Sequence, residues 1–370
     1  MRILVVIDDL KIGGAQKLTL TLAQQARAHK VKITVASLSK KNALEKSFND
    51  LGVNVVKFPA KKLFTPSRLR DLTNFIKKGR FSLIHTHLTY ANILAGIAGK
   101  FTRTPVLTTL HSTAVDTRYT HFWRDNLELL ILRQAQEIIG VGESVAKVYQ
   151  PRLGRDLLVL PNAVDENPGI SADEHLRLRS RLGLAPAQPT FISVGRLSPD
   201  KGFQDLIEAF QIICKNVPNT ALLIVGDGKL RGELTAQIRS LGLEKNIFLL
   251  GTRNDVPHLL AASDIYISAS HREGLSLSLL EAMMAALPMI AANVGETQKL
   301  IGDDAGILIT HSESEQLAKA ALQVLAMPEY GKKLGLAGLT RARANYGAKQ
   351  WFEQLMQIYK KTARHKGKQV

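Results

Sequence analysis

One cysteine in 370 residues, Cys214, leaves no internal disulfide framework and fits a reducing compartment. No apolar run approaches the roughly 20 residues that a spanning helix needs. The apolar start at 3–7, followed by Asp8-Asp9, is too short for a secretory leader and reads as a buried strand. Aromatic residues are only 6% of the chain, which supplies few platforms for stacked bases. RNP, zinc and helix-turn-helix patterns are missing as well, so a non-enzymatic nucleic-acid binder has only the charge in its favour. The dinucleotide fingerprint G-x-G-x-x-G, the P-loop and the hydrolase elbow G-x-S-x-G are absent.

What the chain has is positive charge, unevenly placed. The formal net charge is +17, of which residues 1–165 carry +13 and residues 166–370 carry +4. Such a field favours an anionic partner: phosphorylated lipid, an acidic membrane surface or nucleic acid. The plainer alternative is a soluble basic surface. The length exceeds what one core usually serves, so two domains are expected.

Short β-branched runs alternate with amphipathic stretches. Strands are expected at 3–7, 32–36, 53–57, 82–85, 106–109, 137–141 and 157–160, with helices at 15–29, 43–51, 67–78 and 90–101. Near-continuous apolar strands separated by helices predict a parallel sheet covered on both faces. The rhythm breaks at 166–185, read as a linker carrying one polar helix, and restarts with strands at 190–194, 220–225, 247–250, 265–267 and 289–292. The chain thus reads as α/β, with two facing Rossmann-like doubly wound domains, 1–165 and 186–347, and an interdomain cleft. Ligands of such sheets sit beyond the carboxyl ends of the strands. The stretch 348–361 reads as an amphipathic helix with Trp351, Phe352, Leu355, Ile358 and Tyr359 on its apolar side, followed by a basic tail.

Several segments fall at those strand ends. Gly13-Gly14 follows the first strand, where glycine lets backbone approach a ligand and helix N–H groups meet an anion; a structural turn reads equally well. Arg196 and Lys201, in the loop Gly195 to Gly202, suit a diphosphate, with arginine as a forked donor and lysine as a point charge. Gly226 and Gly228 form a turn against which a base or sugar could lie. His271 to Met283 is the most informative segment. Glu273 is expected in a loop, the amides from Gly274 through Leu275 and Ser276 to Leu277 can bind oxygens, and Glu281 lies early in a helix starting near Ser278. A carboxylate there can accept both hydroxyls of a ribose. A helix-dipole partner and a solvated loop acid are the plain readings of Glu281 and Glu273.

His85, His87 and His111 stand at strand ends, with His111 expected to face the cleft. No cysteine or carboxylate completes a metal site with them. Asp8-Asp9 and Asp303-Asp304 read as loop acids, and Cys214, placed mid-helix, is a poor candidate nucleophile.

These segments, in this order, resemble glycosyltransferase family 4, whose members are retaining enzymes of the GT-B fold. The resemblance is carried by Gly13-Gly14-Ala15-Gln16-Lys17, His85-Thr86-His87, Thr109-Leu110-His111-Ser112 and Leu160-Pro161-Asn162-Ala163-Val164-Asp165 in the first half. In the second half it is carried by Gly195-Arg196 with Lys201-Gly202, Val225-Gly226-Asp227-Gly228, and Glu273 with Glu281. The resemblance implies that the second domain binds a nucleoside diphosphate sugar, with UDP the common nucleotide. Arg196 and Lys201 would neutralise the leaving diphosphate, Glu281 would hold the ribose, and Glu273 with the amides after Gly274 the hexose. Gly14 would bring backbone near the phosphate, and His111 would approach the donor sugar. It further implies no metal and no cofactor beyond the donor, and a last helix, 348–361, that packs on the first domain. Gln16 departs from the family's usual acid and Ala163 from its usual glycine.

The first domain of such enzymes chooses the acceptor, and here it holds most of the charge. The expectation is transfer of a hexosyl or N-acetylhexosaminyl group to a glycan or lipid-linked acceptor in cell-envelope polysaccharide or lipopolysaccharide synthesis. The expected location is cytoplasmic, with peripheral docking at the inner face of the cytoplasmic membrane. Lys61, Lys62, Phe64, Arg68 and Arg70 are the candidates for that contact. The competing readings inside the fold are a UDP-sugar epimerase, which needs no acceptor, and a phosphorylase, for whose pyridoxal phosphate no lysine makes a case.

Overall fold

The computed structural model of the chain describes residues 1–40, 42–60, 65–112, 122–310 and 313–364. It divides into two compact units, Met1–Ala163 with Ala348–Val370, and Val164–Gly347. In the first unit the strands are β1 (Arg2–Ile7), β2 (Lys32–Ser37), β3 (Asn54–Lys57), β4 (Leu83–His87), β5 (Val106–Leu110), β6 (Glu137–Gly140) and β7 (Leu158–Val159). They form one sheet in the order β3-β2-β1-β4-β5-β6-β7, with every pair parallel. The central strands β4 and β5 are buried at every position, as parallel strands between two helical layers must be. Strand order reverses between β1 and β4, which makes their carboxyl ends the switch point of this sheet. Register there sets Ile7 opposite His87, and His87 opposite Thr109.

The helix Ala348–Arg364 belongs to this first unit although the second unit separates it from the rest in sequence. Trp351, Phe352, Leu355 and Tyr359 recur at helical spacing and are all buried. The Phe352 ring lies 4.9 Å from that of His29, the Tyr359 hydroxyl lies 2.7 Å from His85 Nδ1, and Lys361 pairs with Glu137 at 2.8 Å. Each such apolar side chain contributes about 1.5–3 kcal/mol when fully buried.

The second unit repeats the plan with β8 (Thr190–Val194), β9 (Ala221–Val225), β10 (Ile247–Gly251), β11 (Ile265–Ser268), β12 (Met289–Ala292) and β13 (Gly306–Ile309). The order is β10-β9-β8-β11-β12-β13, so the switch point falls between β8 and β11. Phe191, Phe203, Phe210, Leu222, Ile267 and Ile290 anchor its core. Two parallel, doubly wound α/β domains are therefore present.

Some expectations change. The stretch 166–185 is no free linker. Its helix, Ala172–Arg181, starts with a capping box between Ser171 and Glu174 and docks within the second unit. Arg179, 1% exposed, anchors it by donating to the carbonyls of Ala185, Gln188 and Ala262 and to Thr190 Oγ1. A polar pattern concealed this, because the buried polar group is satisfied by backbone oxygens that only the tertiary fold supplies. Strand β13 and the long helices Ser314–Ala326 and Pro328–Tyr346 had not been expected. Cys214 lies near the end of the helix Phe203–Asn216, its thiol 3.5 Å from Thr220 Oγ1, and burial pushes its pKa up.

Candidate active site

In the second unit, four loops at the carboxyl ends of β8, β9, β11 and β12 are bound to one another by backbone. Leu197 N donates to Asp227 O at 3.1 Å, and His271 N to Asp200 O at 2.9 Å. Glu296 N donates to Gly274 O at 3.1 Å. The glycines permit these approaches. A Cβ on Gly226, at φ +141°, would overlap Gly195 O, and one on Gly228 would overlap Leu197 O. These two glycines thus join the β8 and β9 loops.

The short 3-10 turn Pro199–Lys201 brings Lys201 back over the sheet. Its ammonium is bonded to Glu273 Oε1, which also accepts from Ser270 Oγ at 2.9 Å. The two side chains are only 20% and 13% exposed, so the pair is largely desolvated. Arg196, on the same loop, is exposed and forms no ion pair among the described residues. Glu273 lines a small recess with Ser268, Ser270, Ser276, Leu279 and Thr297.

The next helix, Leu277–Met284, begins after Ser276, whose Oγ accepts from Leu279 N at 3.4 Å. Gly274 and Leu275 lead into that start, and Leu275 and Leu277 are buried, so their side chains fix the loop while Ser276 caps it. Glu281 is half-buried one turn into the helix. Tyr266, on β11, places its hydroxyl 2.9 Å from Ser278 Oγ. Burial, aided by the charges of Glu273 and Glu281, pushes its pKa up, so the phenol stays protonated. Tyr266 and Ser270 carry no sequence signal of their own, as isolated polar residues in or beside an apolar strand.

In the first unit, Gly14 opens the helix Gly14–Ala28. A Cβ on the preceding Gly13 would lie 2.6 Å from Gln16 Oε1. Gln16 Nε2 donates to Asp9 Oδ1 at 2.9 Å. An acid at that place would set two carboxylates together, so Asp9 accounts for this chain's amide where the family usually has an acid.

Asp8 proves to be more than a loop acid. Its carboxylate accepts from Ala91 N at 2.6 Å and Tyr90 N at 3.3 Å, capping the helix Thr89–Thr102 from another strand. Burial still raises its pKa to about 7. Beside it, Thr86, Asn92 and Glu128 form a buried chain, with Asn92 Nδ2 donating to Glu128 Oε1 at 2.7 Å and Thr86 Oγ1 to Asn92 Oδ1 at 2.8 Å.

His111 follows β5 directly, and its Nε2 lies 2.8 Å from His87 Nδ1. His85 is held between Tyr359 OH and Thr109 Oγ1, each at 2.7 Å. Burial lowers His85 to about 3 and His111 to about 4, and holds His87 well below the usual histidine value, so all three rings are neutral at pH 7. Among the described residues, no three His, Cys, Asp or Glu side chains gather as a metal ion would need.

Of the surface candidates, Arg70 is exposed beside Asp71. Arg68 is 8% exposed and donates to the carbonyls of Leu38, at 3.1 Å, and Ala60, at 3.3 Å, so its charge is spent inside the unit and offers nothing to a lipid surface. Lys61, Lys62 and Phe64 lie outside the described residues. No helix among the described residues is long and apolar enough to cross a membrane.

Comparison with known proteins agrees with this architecture. Residues 12–167 match the family model described as Glycosyltransferase Family 4, and residues 175–341 match Glycosyl transferases group 1. The chain is 30% identical over 271 residues to the UDP-Gal:alpha-D-GlcNAc-diphosphoundecaprenol alpha-1,3-galactosyltransferase of Escherichia coli, covering 69% of each chain. It is 27% identical over 267 residues to the alpha-monoglucosyldiacylglycerol synthase of Streptococcus pneumoniae, covering 67% of this chain and 60% of that one. The crystal structure of Anabaena Alr3699/HepE in complex with UDP-glucose superposes with a TM-score of 0.88 at 23% identity, covering 98% of this chain and all of that one. The chain therefore belongs to the glycosyltransferases of family 4, enzymes of the GT-B fold that transfer a glycosyl group from a nucleotide sugar.

Proposed function

We propose that the chain is a retaining transferase that moves a hexosyl or N-acetylhexosaminyl group from a UDP-sugar to a glycan or lipid-linked acceptor of the cell envelope. The observation that carries this reading is the Lys201–Glu273–Ser270 cluster beside exposed Arg196 at the β8/β11 switch point. Two cations and helix-start amides suit a diphosphate, and carboxylates suit sugar hydroxyls.

In the proposed reaction the bond from the anomeric carbon to the diphosphate oxygen breaks, and one forms from that carbon to the acceptor oxygen on the same face. The acceptor's proton passes to the departing phosphate oxygen. Arg196 and Lys201 stabilise the charge that develops there. Glu281 holds the ribose diol, while Glu273 and the amides from Gly274 to Leu277 hold the sugar. Gly14 leaves room for a phosphate or sugar, and neutral His111 donates a hydrogen bond to a sugar hydroxyl. The reaction so described draws on no metal or further cofactor. The Escherichia coli relative, whose name specifies a UDP-sugar, a diphosphoundecaprenol-linked acceptor and an α-1,3 product, supports the acceptor class.

The basic first half supports docking at an anionic membrane face, through Arg70, Lys77, Lys78 and Arg80, all exposed, with Lys61, Lys62 and Phe64. Flotation with anionic and neutral vesicles at low salt tests this part; equal recovery counts against it. Incubation with a panel of UDP-sugars and a polyprenyl-diphosphate-linked sugar, with NMR of the product's anomeric centre, tests the reaction. An inverted centre, or turnover of UDP-sugar to an epimer without acceptor, would overturn it.

A further inference from the structure

The pair formed by His87 and His111 is a contact through which a buried side chain acts on the proposed sugar-facing group of the first unit. His87 ends β4 and is 1% exposed, and its Nδ1 lies 2.8 Å from His111 Nε2. Both rings are neutral, so only one nitrogen of the two can carry the shared proton. The far nitrogen decides which. His87 Nε2 is buried and has no hydrogen-bond partner among the described residues. A proton there would be a buried N–H with no acceptor among the described residues, a kind of orphan that native structures rarely keep. The proton therefore belongs on His87 Nδ1, which donates to His111 Nε2. His111 must then carry its own proton on Nδ1.

The backbone holds His87 to this task. The next residue, Leu88, has φ +73° and ψ 159°, a region nearly reserved for glycine. The conformation persists because Asp8 takes the amides of Tyr90 and Ala91 just beyond it, and Leu88 O accepts from Asn92 N at 2.9 Å. Behind His87, the His85 ring lies 4.2 Å away, itself fixed by Tyr359 and Thr109. The ring of His87 thus sits between a fixed backbone and the His85 ring, with Nδ1 toward His111.

We propose that His87 is a positioning residue that fixes His111 as the Nδ1–H tautomer, so that His111 meets substrate as a neutral hydrogen-bond donor and not as a base. This rests on the reading above, in which His111 touches the transferred sugar. It makes the pair a device for orientation, with the acceptor's proton leaving by the donor phosphate.

Two measurements on the full chain test it. Two-bond 1H–15N correlation of 15N-histidine-labelled protein at pH 7.5, assigned by signal loss in His87→Asn and His111→Asn, should show both rings protonated on Nδ1. Protonation of His111 on Nε2 would overturn the proposal. Kinetics supply the second measurement, because an asparagine amide reaches where Nδ1 lay and a glutamine amide where Nε2 lay. His87→Gln should lower kcat by about tenfold or more with a smaller change in donor KM, and His87→Asn should recover most of that loss. Equal losses in both variants, or a loss confined to KM, would also overturn it. The spectra require no turnover, so a wild-type chain inactive on every nucleotide sugar would defeat the transferase reading while the tautomer still decided the role of His87.

Discussion

The ammonium of Lys201 is bonded to the carboxylate of Glu273, 72 positions along the chain, with Ser270 Oγ on the same carboxylate oxygen. A cation proposed for a diphosphate thus already has an anionic neighbour in its own unit, and a carboxylate proposed for sugar hydroxyls is held still by a lysine. Each orders the other before substrate arrives.

Removing either partner leaves a largely desolvated charge unpaired. Lys201→Ala and Glu273→Ala should each lose about 1–3 kcal/mol of stability. The double variant should lose less than their sum, measured by urea unfolding. Strict additivity would show that the contact carries no coupling. In the same variants transfer should fall by about 10²–10³ when Lys201 is lost, the magnitude typical of a group acting on developing charge.

Gly226→Ala should be severely destabilising even though the new methyl is small. The residue sits at φ +141° and its Cβ would overlap Gly195 O, so the β8 and β9 loops must part. A drop of at least about 2 kcal/mol in unfolding free energy is expected, and UDP binding should weaken with it. Gly232→Ala, with nothing within 4 Å of the new Cβ, is the control and should be near neutral. Equal behaviour of the two would contradict the packing role.

Gln16→Glu restores the family's common acid but places it against Asp9. Replacing the 2.9 Å amide–carboxylate bond with two acids should cost about 1–2 kcal/mol near pH 7. The loss should shrink in the background of Asp9→Asn. An unchanged loss in that background would show that Asp9 is not the cause.

Asp8 gives the fold a pH dependence of definite sign. Its pKa rises from 3.8 to about 7 on folding, so between those values the unfolded chain releases a proton that the folded chain keeps. Stability from this group therefore falls as pH rises from about 4 to about 7, by a few kcal/mol at most, and is level above. The depressed histidines act oppositely, losing stability as pH falls from 6.5. Comparing wild type with Asp8→Asn cancels them. The variant's advantage in thermal midpoint should grow from pH 4 to pH 8; a constant difference would refute the shift.

Much of this was legible in the chain. Apolar runs located β1, β8 and β9 nearly to the residue because a strand buried on both faces leaves no polar interruption. The spacing of Trp351, Phe352, Leu355 and Tyr359 marked the buried stripe of the last helix. The Lys201 and Glu273 segments were found because both follow apolar strands. What escaped was whatever depends on contacts between distant positions. Arg68 read as a surface cation and Arg179 fell within a stretch read as a linker, yet backbone carbonyls from elsewhere in the fold satisfy both inside. Asp8 read as a loop acid because nothing local shows that Tyr90 and Ala91 will present their amides to it. Nor does the local sequence show that a Cβ on Gly226 or Gly228 would meet the carbonyls of the neighbouring loop.

The central claim is that a nucleoside diphosphate is gripped by Arg196, Lys201 and Glu281 of the second unit. Calorimetric titration of UDP into the wild type and into Arg196→Ala, Lys201→Ala and Glu281→Ala measures it directly. Loss of a charge-assisted contact should weaken UDP by about tenfold or more in each variant, with the thermal unfolding of Arg196→Ala unchanged. UDP affinity equal to wild type in all three, or no UDP binding by the wild type, would contradict the account.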